Sequence, residues 1–166
     1  MAYPFAITTI IGFALPAAIG AKFACPEKEV WVVAGDGGFQ MTAAELSTIV
    51  QEKIKINIAI INNGFLGMVR QWQQFFYDSN YEATPLISPD FVKLADAHGI
   101  PGRAVHSRPE VAVAVAEARN SASTFLLNFM VEKEESVYPM IPAGSALHEM
   151  IRRPGKDPLL ETPDDK

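Results

Sequence analysis

Two nearly unbroken apolar runs constrain the fold of this chain most. Val30-Trp31-Val32-Val33-Ala34 is followed by Gly35, and Ile56-Asn57-Ile58-Ala59-Ile60-Ile61 is followed by Asn62-Asn63-Gly64. Both are short and rich in β-branched residues, and neither alternates with polar residues. That is the pattern of parallel strands covered on both faces. Between them, Thr42-Ala43-Ala44-Glu45 has the form of a capping box, and Ala43, Leu46, Ile49 and Val50 share one helical face. The spacing predicts a strand–helix–strand unit with a right-handed crossover.

The alternation continues along the chain. Leu66 to Tyr77 reads as an amphipathic helix, and Tyr81 to Pro89 as a loop because of its prolines. Pro89 to His98 reads as a helix stopped by Gly99. Gly102 to Val105 reads as a short strand, and Arg108 to Asn120 as a helix opened by Ser107 and Pro109. Thr124 to Val131 reads as a strand. Pro139, Pro142 and Gly144 mark an irregular segment, and Pro154 to Lys166 reads as a mobile tail. The expected class is α/β, a mostly parallel sheet flanked by helices.

The uncharged stretch Phe5 to Ala21 has to fit this scheme. No basic residue precedes it, which argues against a secretory signal. It is at the short end for a membrane span and contains Gly12, Pro16 and Gly20. A helix from near Leu15 to near Phe23, buried on all sides, accommodates Pro16 in its first turn. With 166 residues, 49% hydrophobic, the chain can bury one core. Its net charge of -5 argues against nucleic acid as the main partner. The single cysteine, Cys25, fits a reducing, cytoplasmic setting and reads as a small buried hydrophobe.

The chemistry-bearing residues lie where these strands end. Gly35-Asp36-Gly37-Gly38 follows the first run and Asn62-Asn63 the second, with 24 residues between Gly37 and Asn62. Ligands of open parallel sheets bind at that edge. A carboxylate and an amide oxygen suit a hard cation such as magnesium better than zinc. The glycines let the backbone approach a diphosphate closely, and a helix starting near Thr42 would point its N–H groups at it. Taken singly, each motif is an ordinary turn. Taken together, they point to a magnesium–diphosphate site. His98, His106 and His148 have no metal-ligand spacing, and the dinucleotide, Walker and nucleophile-elbow motifs are missing.

Gly35-Asp36-Gly37…Asn62-Asn63 resembles the thiamine diphosphate binding motif. Gly67-Met68-Val69-Arg70-Gln71-Trp72-Gln73, Leu15 to Lys22, Pro89 to Ala95 and Pro139-Met140-Ile141-Pro142-Ala143-Gly144-Ser145 resemble segments of the acetolactate synthase catalytic subunit. The resemblance covers roughly residues 11 to 152, and it implies the C-terminal, diphosphate-binding domain of that enzyme. It implies Asp36, Asn63 and the Phe65 carbonyl as ligands of Mg2+. Gly35 to Gly38 and Phe65, Leu66, Gly67 and Met68 would line the diphosphate and thiazolium. Ile11 would lie under the bent cofactor with Met41 nearby, and Trp72 would border the pocket for a second 2-keto acid.

The resemblance also implies what lies elsewhere. The reaction condenses pyruvate with a second 2-keto acid in branched-chain amino acid biosynthesis. It needs a glutamate on a pyrimidine-binding domain, supplied in cis or in trans, and Glu45 reads as structural. FAD belongs to a middle domain with no counterpart here. Ile7 to Ile10 stands in place of a glycine-rich segment, so residues 1 to 10 depart from the family and the domain reads as truncated at its N-terminus. The chain alone is therefore expected to be inactive and to form homo-oligomers. The alternatives are a non-catalytic folded fragment and one chain of a split 2-keto acid decarboxylase.

Overall fold

The computed structural model describes Phe5–Ile7 and residues 11–154 of the chain. The chain divides into two units, one ending at Lys133 and one starting at Glu134. The first unit is built on five parallel strands: β1 (Phe5–Ile7), β2 (Val30–Gly35), β3 (Asn57–Asn62), β4 (Gly102–Val105) and β5 (Phe125–Met130). Their order across the sheet is β1-β2-β3-β5-β4.

That order decides which helices cover which face. The chain steps in one direction from β1 to β4, then returns to insert β5. Right-handed crossovers place the helices of the outward steps on one face and the helix of the return step on the other. Accordingly α1 (Ala14–Ala24), α3 (Leu46–Gln51) and α5 (Phe91–Ala97) share the main core with the sheet. Leu15, Leu46, Ile49 and Phe91 pack there with Val32, Ile58, Ile60 and Leu126. On the opposite face α6 (Arg108–Asn120) buries Ala114 and Ala118 against Val105, Phe125 and Leu127.

The predicted strand–helix–strand unit is present, and its two strands are neighbours. Several local expectations need correction. β2 is not covered on both faces: Val30, Val32 and Ala34 are buried, while Trp31, Val33 and Gly35 are only half-buried. The helix read as buried on all sides is α1, and it buries one stripe, Ala14, Leu15, Ala18 and Ile19, while Phe23 is 60% exposed. The first part of the same apolar stretch supplies β1, which pairs Phe5 with Val30 and Ile7 with Val32. The capping box does not form: the Thr42 hydroxyl makes no cap, and Glu45 instead accepts from the Thr48 hydroxyl at 2.9 Å. Helix begins earlier, with α2 (Asp36–Gln40), and a 3-10 turn (Ala43–Glu45) leads into α3. Val50 is exposed rather than on the apolar face.

Other helix ends match the sequence. Asp90 caps α5 by accepting from the Val92 and Lys93 N–H groups at 3.1 Å each. Gly99, at φ +73°, ends that segment in the left-handed region glycine favours. Ser107 stands at the N-cap of α6 without a side-chain bond to the backbone. Within the second unit, Met140 and Ile151 exchange backbone hydrogen bonds of 3.0 and 2.7 Å around a short 3-10 turn, Leu147–Glu149. Among the described residues no helix is long and apolar enough to cross a membrane. Residues 1–10, apart from Phe5–Ile7, and the tail beyond Pro154 lie outside the described residues.

Candidate functional site

Register sets the geometry of the site. Gly35 of β2 lies opposite Ile61 of β3, so the residues that follow leave the sheet side by side at its C-terminal edge. Asp36 is 1% exposed. Its Oδ1 accepts from the Gly37 N–H at 3.0 Å and its Oδ2 from the Gly64 N–H at 2.9 Å. The Ser88 hydroxyl donates to the same Oδ2 at 3.4 Å, and Gln40 Nε2 donates to Ser88 Oγ at 3.2 Å. Burial pushes the Asp36 carboxyl above its ordinary value, and the hydrogen bonds from Gly37, Gly64 and Ser88 offset that only in part. Every donor to this buried carboxylate is neutral.

The loop after β3 is shaped by its two asparagines. Asn62 Oδ1 accepts from the Gly64 N–H at 3.2 Å, and Asn63 Oδ1 accepts from the Phe65 N–H at 3.1 Å. These are Asx turns. Gly64 sits at φ +70°, which a side chain would strain. Residues 64–66 then pair with residues 84–86: the Leu66 N–H donates to the Thr84 carbonyl at 2.9 Å and the Leu86 N–H to the Gly64 carbonyl at 2.8 Å. Close approach follows. A Cβ on Gly37 would lie 2.9 Å from the tips of both Leu66 and Leu86, and one on Gly67 would lie 3.1 Å from Asn63 Nδ2.

A second group flanks the first. A Cβ on Gly38 would lie 3.8 Å from the backbone of Ile11 and Gly12, and one on Gly12 would lie 3.5 Å from Met41 Cβ. Thus Ile11, Gly38 and Met41 lie close to one another through Gly12, and Asp36, Asn63, Leu66 and Gly67 lie close to Gly37 and Gly64. Ile11 and Met41 are exposed.

Helix α4 (Gly67–Phe76) continues from this loop with its polarity reversed. Its buried residues are Arg70 and Gln71. The Arg70 guanidinium lies 4.6 Å from the Tyr81 ring centroid and 5.4 Å from that of Phe65. Met68 and Trp72, one turn apart, are 54% and 41% exposed. Trp72 joins Phe76, with ring centroids 5.1 Å apart. The apolar stripe of α4 is therefore not core.

Sequence reasoning placed the candidate helix N-terminus at Thr42, whereas the first helical turn at the site is Asp36-Gly37-Gly38. It missed Ser88 and the Gly64 N–H as partners of Asp36. Glu45 lies in the 3-10 turn, bonded to Thr48. No group of three or more His, Cys, Asp or Glu among the described residues could hold a metal ion. A cation at Asp36 would draw on one carboxylate with amide and carbonyl oxygens. That donor set fits Mg2+, since a buried carboxylate without a cationic side chain beside it is what a hard dication would satisfy.

Comparison with known proteins identifies the family. The family described as "Thiamine pyrophosphate enzyme, C-terminal TPP binding domain" matches residues 2–129. The acetolactate synthase of Mycobacterium leprae is 44% identical over 157 residues, covering 91% of this chain and 25% of that protein. Acetolactate synthase isozyme 2 large subunit of Escherichia coli is 39% identical over 144 residues, covering 86% and 26%. Among solved structures, the thiamine diphosphate-dependent 4-hydroxybenzoylformate decarboxylase of Rhodococcus jostii superposes with a TM-score of 0.70 at 31% identity. That superposition covers 76% of this chain and 24% of the decarboxylase. The chain spans about a quarter of the length of these relatives. With the family model matched over residues 2–129, the chain belongs to the thiamine pyrophosphate enzymes as their C-terminal TPP-binding domain.

Proposed function

We propose that the chain is the diphosphate-binding part of an acetolactate synthase-like enzyme that condenses pyruvate with a second 2-keto acid. The observation that carries this reading is the buried Asp36 carboxylate beside the Asn63 loop, held only by neutral donors at the C-terminal edge of a parallel sheet. In this reading Asp36, Asn63 and the Phe65 carbonyl would hold Mg2+, which would supply positive charge to neutralise the cofactor's diphosphate. Gly35, Gly37, Gly38, Leu66, Gly67 and Met68 let the backbone close around that diphosphate and the thiazolium. Ile11, with Met41 beside it, supports the cofactor from below. Trp72 borders the second keto-acid pocket and sets its size. Thiamine diphosphate supplies the electron sink for decarboxylation and carbon–carbon bond formation when bound. This chain's own contribution is to anchor and orient it.

The residues this proposal assigns to the cofactor site lie between Ile11 and Trp72, within the family match that begins at residue 2. The glutamate that the reaction requires comes from a pyrimidine-binding domain in cis or in trans, so the chain alone does not turn over. The enzyme is cytoplasmic, in keeping with the single Cys25. Calorimetric titration of the full chain with thiamine diphosphate and Mg2+ tests the anchor. Binding that needs the metal is expected for the wild type, with at least tenfold loss in Asp36→Ala. Undiminished binding by that variant would remove the metal assignment.

A further inference from the structure

The opposite edge of the sheet carries a site of different character. An open cavity of about 570 Å3 lies where β2 and β3 begin and where α1 and α6 end. β2 runs from Val30 to Gly35, so this edge is about 16 Å from the Asp36 edge. Lys22, Lys28, Lys55 and Arg119 line the cavity together with Glu27 and Glu29. Four cations and two carboxylates leave a surplus of two positive charges, in a chain whose net charge is -5.

The hydrogen bonds show which charges are already answered. Glu29 Oε1 accepts from Trp31 Nε1 at 2.8 Å and from Arg119 Nε at 3.0 Å, while its Oε2 accepts from the Arg119 guanidinium at 3.1 Å. Arg119 and Glu29 thus answer each other. Lys55 Nζ is held by two neutral acceptors, Asn57 Oδ1 at 2.9 Å and the Ala118 carbonyl at 2.8 Å. Lys22 Nζ donates to the Lys28 carbonyl at 2.5 Å. An ammonium has three N–H groups, so one on Lys55 and two on Lys22 remain available. Burial holds the Lys55 ammonium below its ordinary range, Glu29 opposes that, and the like charge of Lys22 adds to it. Glu27, exposed at the surface, is the one carboxylate of the cavity not already bonded.

We propose that this cavity binds a small multivalent oxyanion, a phosphate or a polycarboxylate, between Lys22 and Lys55. Such an anion answers two like charges held at one cavity and takes the donors they leave unused. A neighbouring cavity of about 500 Å3 shares Lys22 and Lys55 and is lined by Phe23, Pro26 and Ile54, with Glu52 and Lys53 beside them. A carbon skeleton attached to the anionic group has its place there. The inference does not depend on the cofactor reading, since no residue is common to the two sites.

The test is an NMR titration of the 15N-labelled full chain with sodium phosphate and, separately, sodium citrate, at ionic strength held constant with sodium chloride. Saturable shifts are expected at the amides of Glu29, Lys55, Asn57 and Arg119, with Gly37 and Gly64 unmoved. Saturation by phosphate alone identifies a phosphoryl ligand, and by citrate alone a polycarboxylate. Lys22→Gln is expected to weaken the affinity at least tenfold, and Lys93→Gln, at an exposed side chain of α5, to leave it unchanged. Lys55→Gln should act like Lys22→Gln, but Lys22 decides, because Lys55 also ties Asn57 to Ala118. Shifts that do not saturate, shifts centred on Gly37 and Gly64, or an affinity unchanged by Lys22→Gln would each overturn the proposal.

Discussion

Asp36 carries a pH-dependent contribution to stability. Its carboxyl is buried among neutral donors, so its pKa in the folded chain lies above the reference value of 3.8. For such an acid the favourable contribution to stability is complete below the unfolded value and is lost as pH rises through the folded one. Asp36→Asn removes the charge and keeps the shape. Its amide nitrogen at the Oδ2 position can donate to Ser88 Oγ and gives up the Gly64 N–H, which retains Asn62 Oδ1 as acceptor. Without added cation, the variant is expected to melt no lower than the wild type at pH 7, with the difference closing as pH falls through the carboxylate range. Mg2+ should raise the melting temperature of the wild type only. Circular dichroism melts across pH check both outcomes. The place of Asp36 and Asn63 at one sheet edge was legible in the sequence because each follows an apolar strand run, and the two strands are neighbours. Ser88 was not, because its bond to Asp36 spans 52 residues and leaves no local pattern.

At the scale of elements, periodicity was a better guide to existence than to orientation. The repeat in α4 is clear, yet its buried members are Arg70 and Gln71 and its apolar members face outward. A periodic sequence says that a helix has two faces; only its neighbours say which is covered. The same reason explains α1, whose second face stays exposed. β1 was illegible because three residues within a longer apolar stretch have no period. The capping box failed because helix had already begun at Asp36, leaving Thr42 inside a continuous turn path. Where an element's apolar face does meet the core, substitution should be costly. Phe91 is fully buried and stands edge-to-face with Phe39, ring centroids 5.5 Å apart. Phe91→Ala should lose about 3–5 kcal/mol in urea unfolding. A loss under 1 kcal/mol would mean that the α5 contact is not part of the cooperative core.

For the whole molecule, the outward apolar residues matter most. Met68, Val69, Trp72 and Phe76 on α4 and Phe13 and Phe23 at the ends of α1 are exposed. Apolar surface of this kind is commonly covered by association. We expect the full chain to sediment as a species heavier than its 18.1 kDa monomer as concentration rises. One monomeric boundary at every concentration is the contrary result. The β2–β3 register also has a consequence for judging whether the chain has folded faithfully. Gly35 opposite Ile61 is what sets Asp36 beside the Gly64 amide. A slip of one residue would displace these partners by about 3.3 Å and turn Ile58 and Ile60 away from the core. Secondary structure content would barely register such an error, whereas the metal response proposed for Asp36 would vanish. On the proposed assignment, cation binding would serve as a proofreading assay for strand alignment, sensitive to a single misplaced rung.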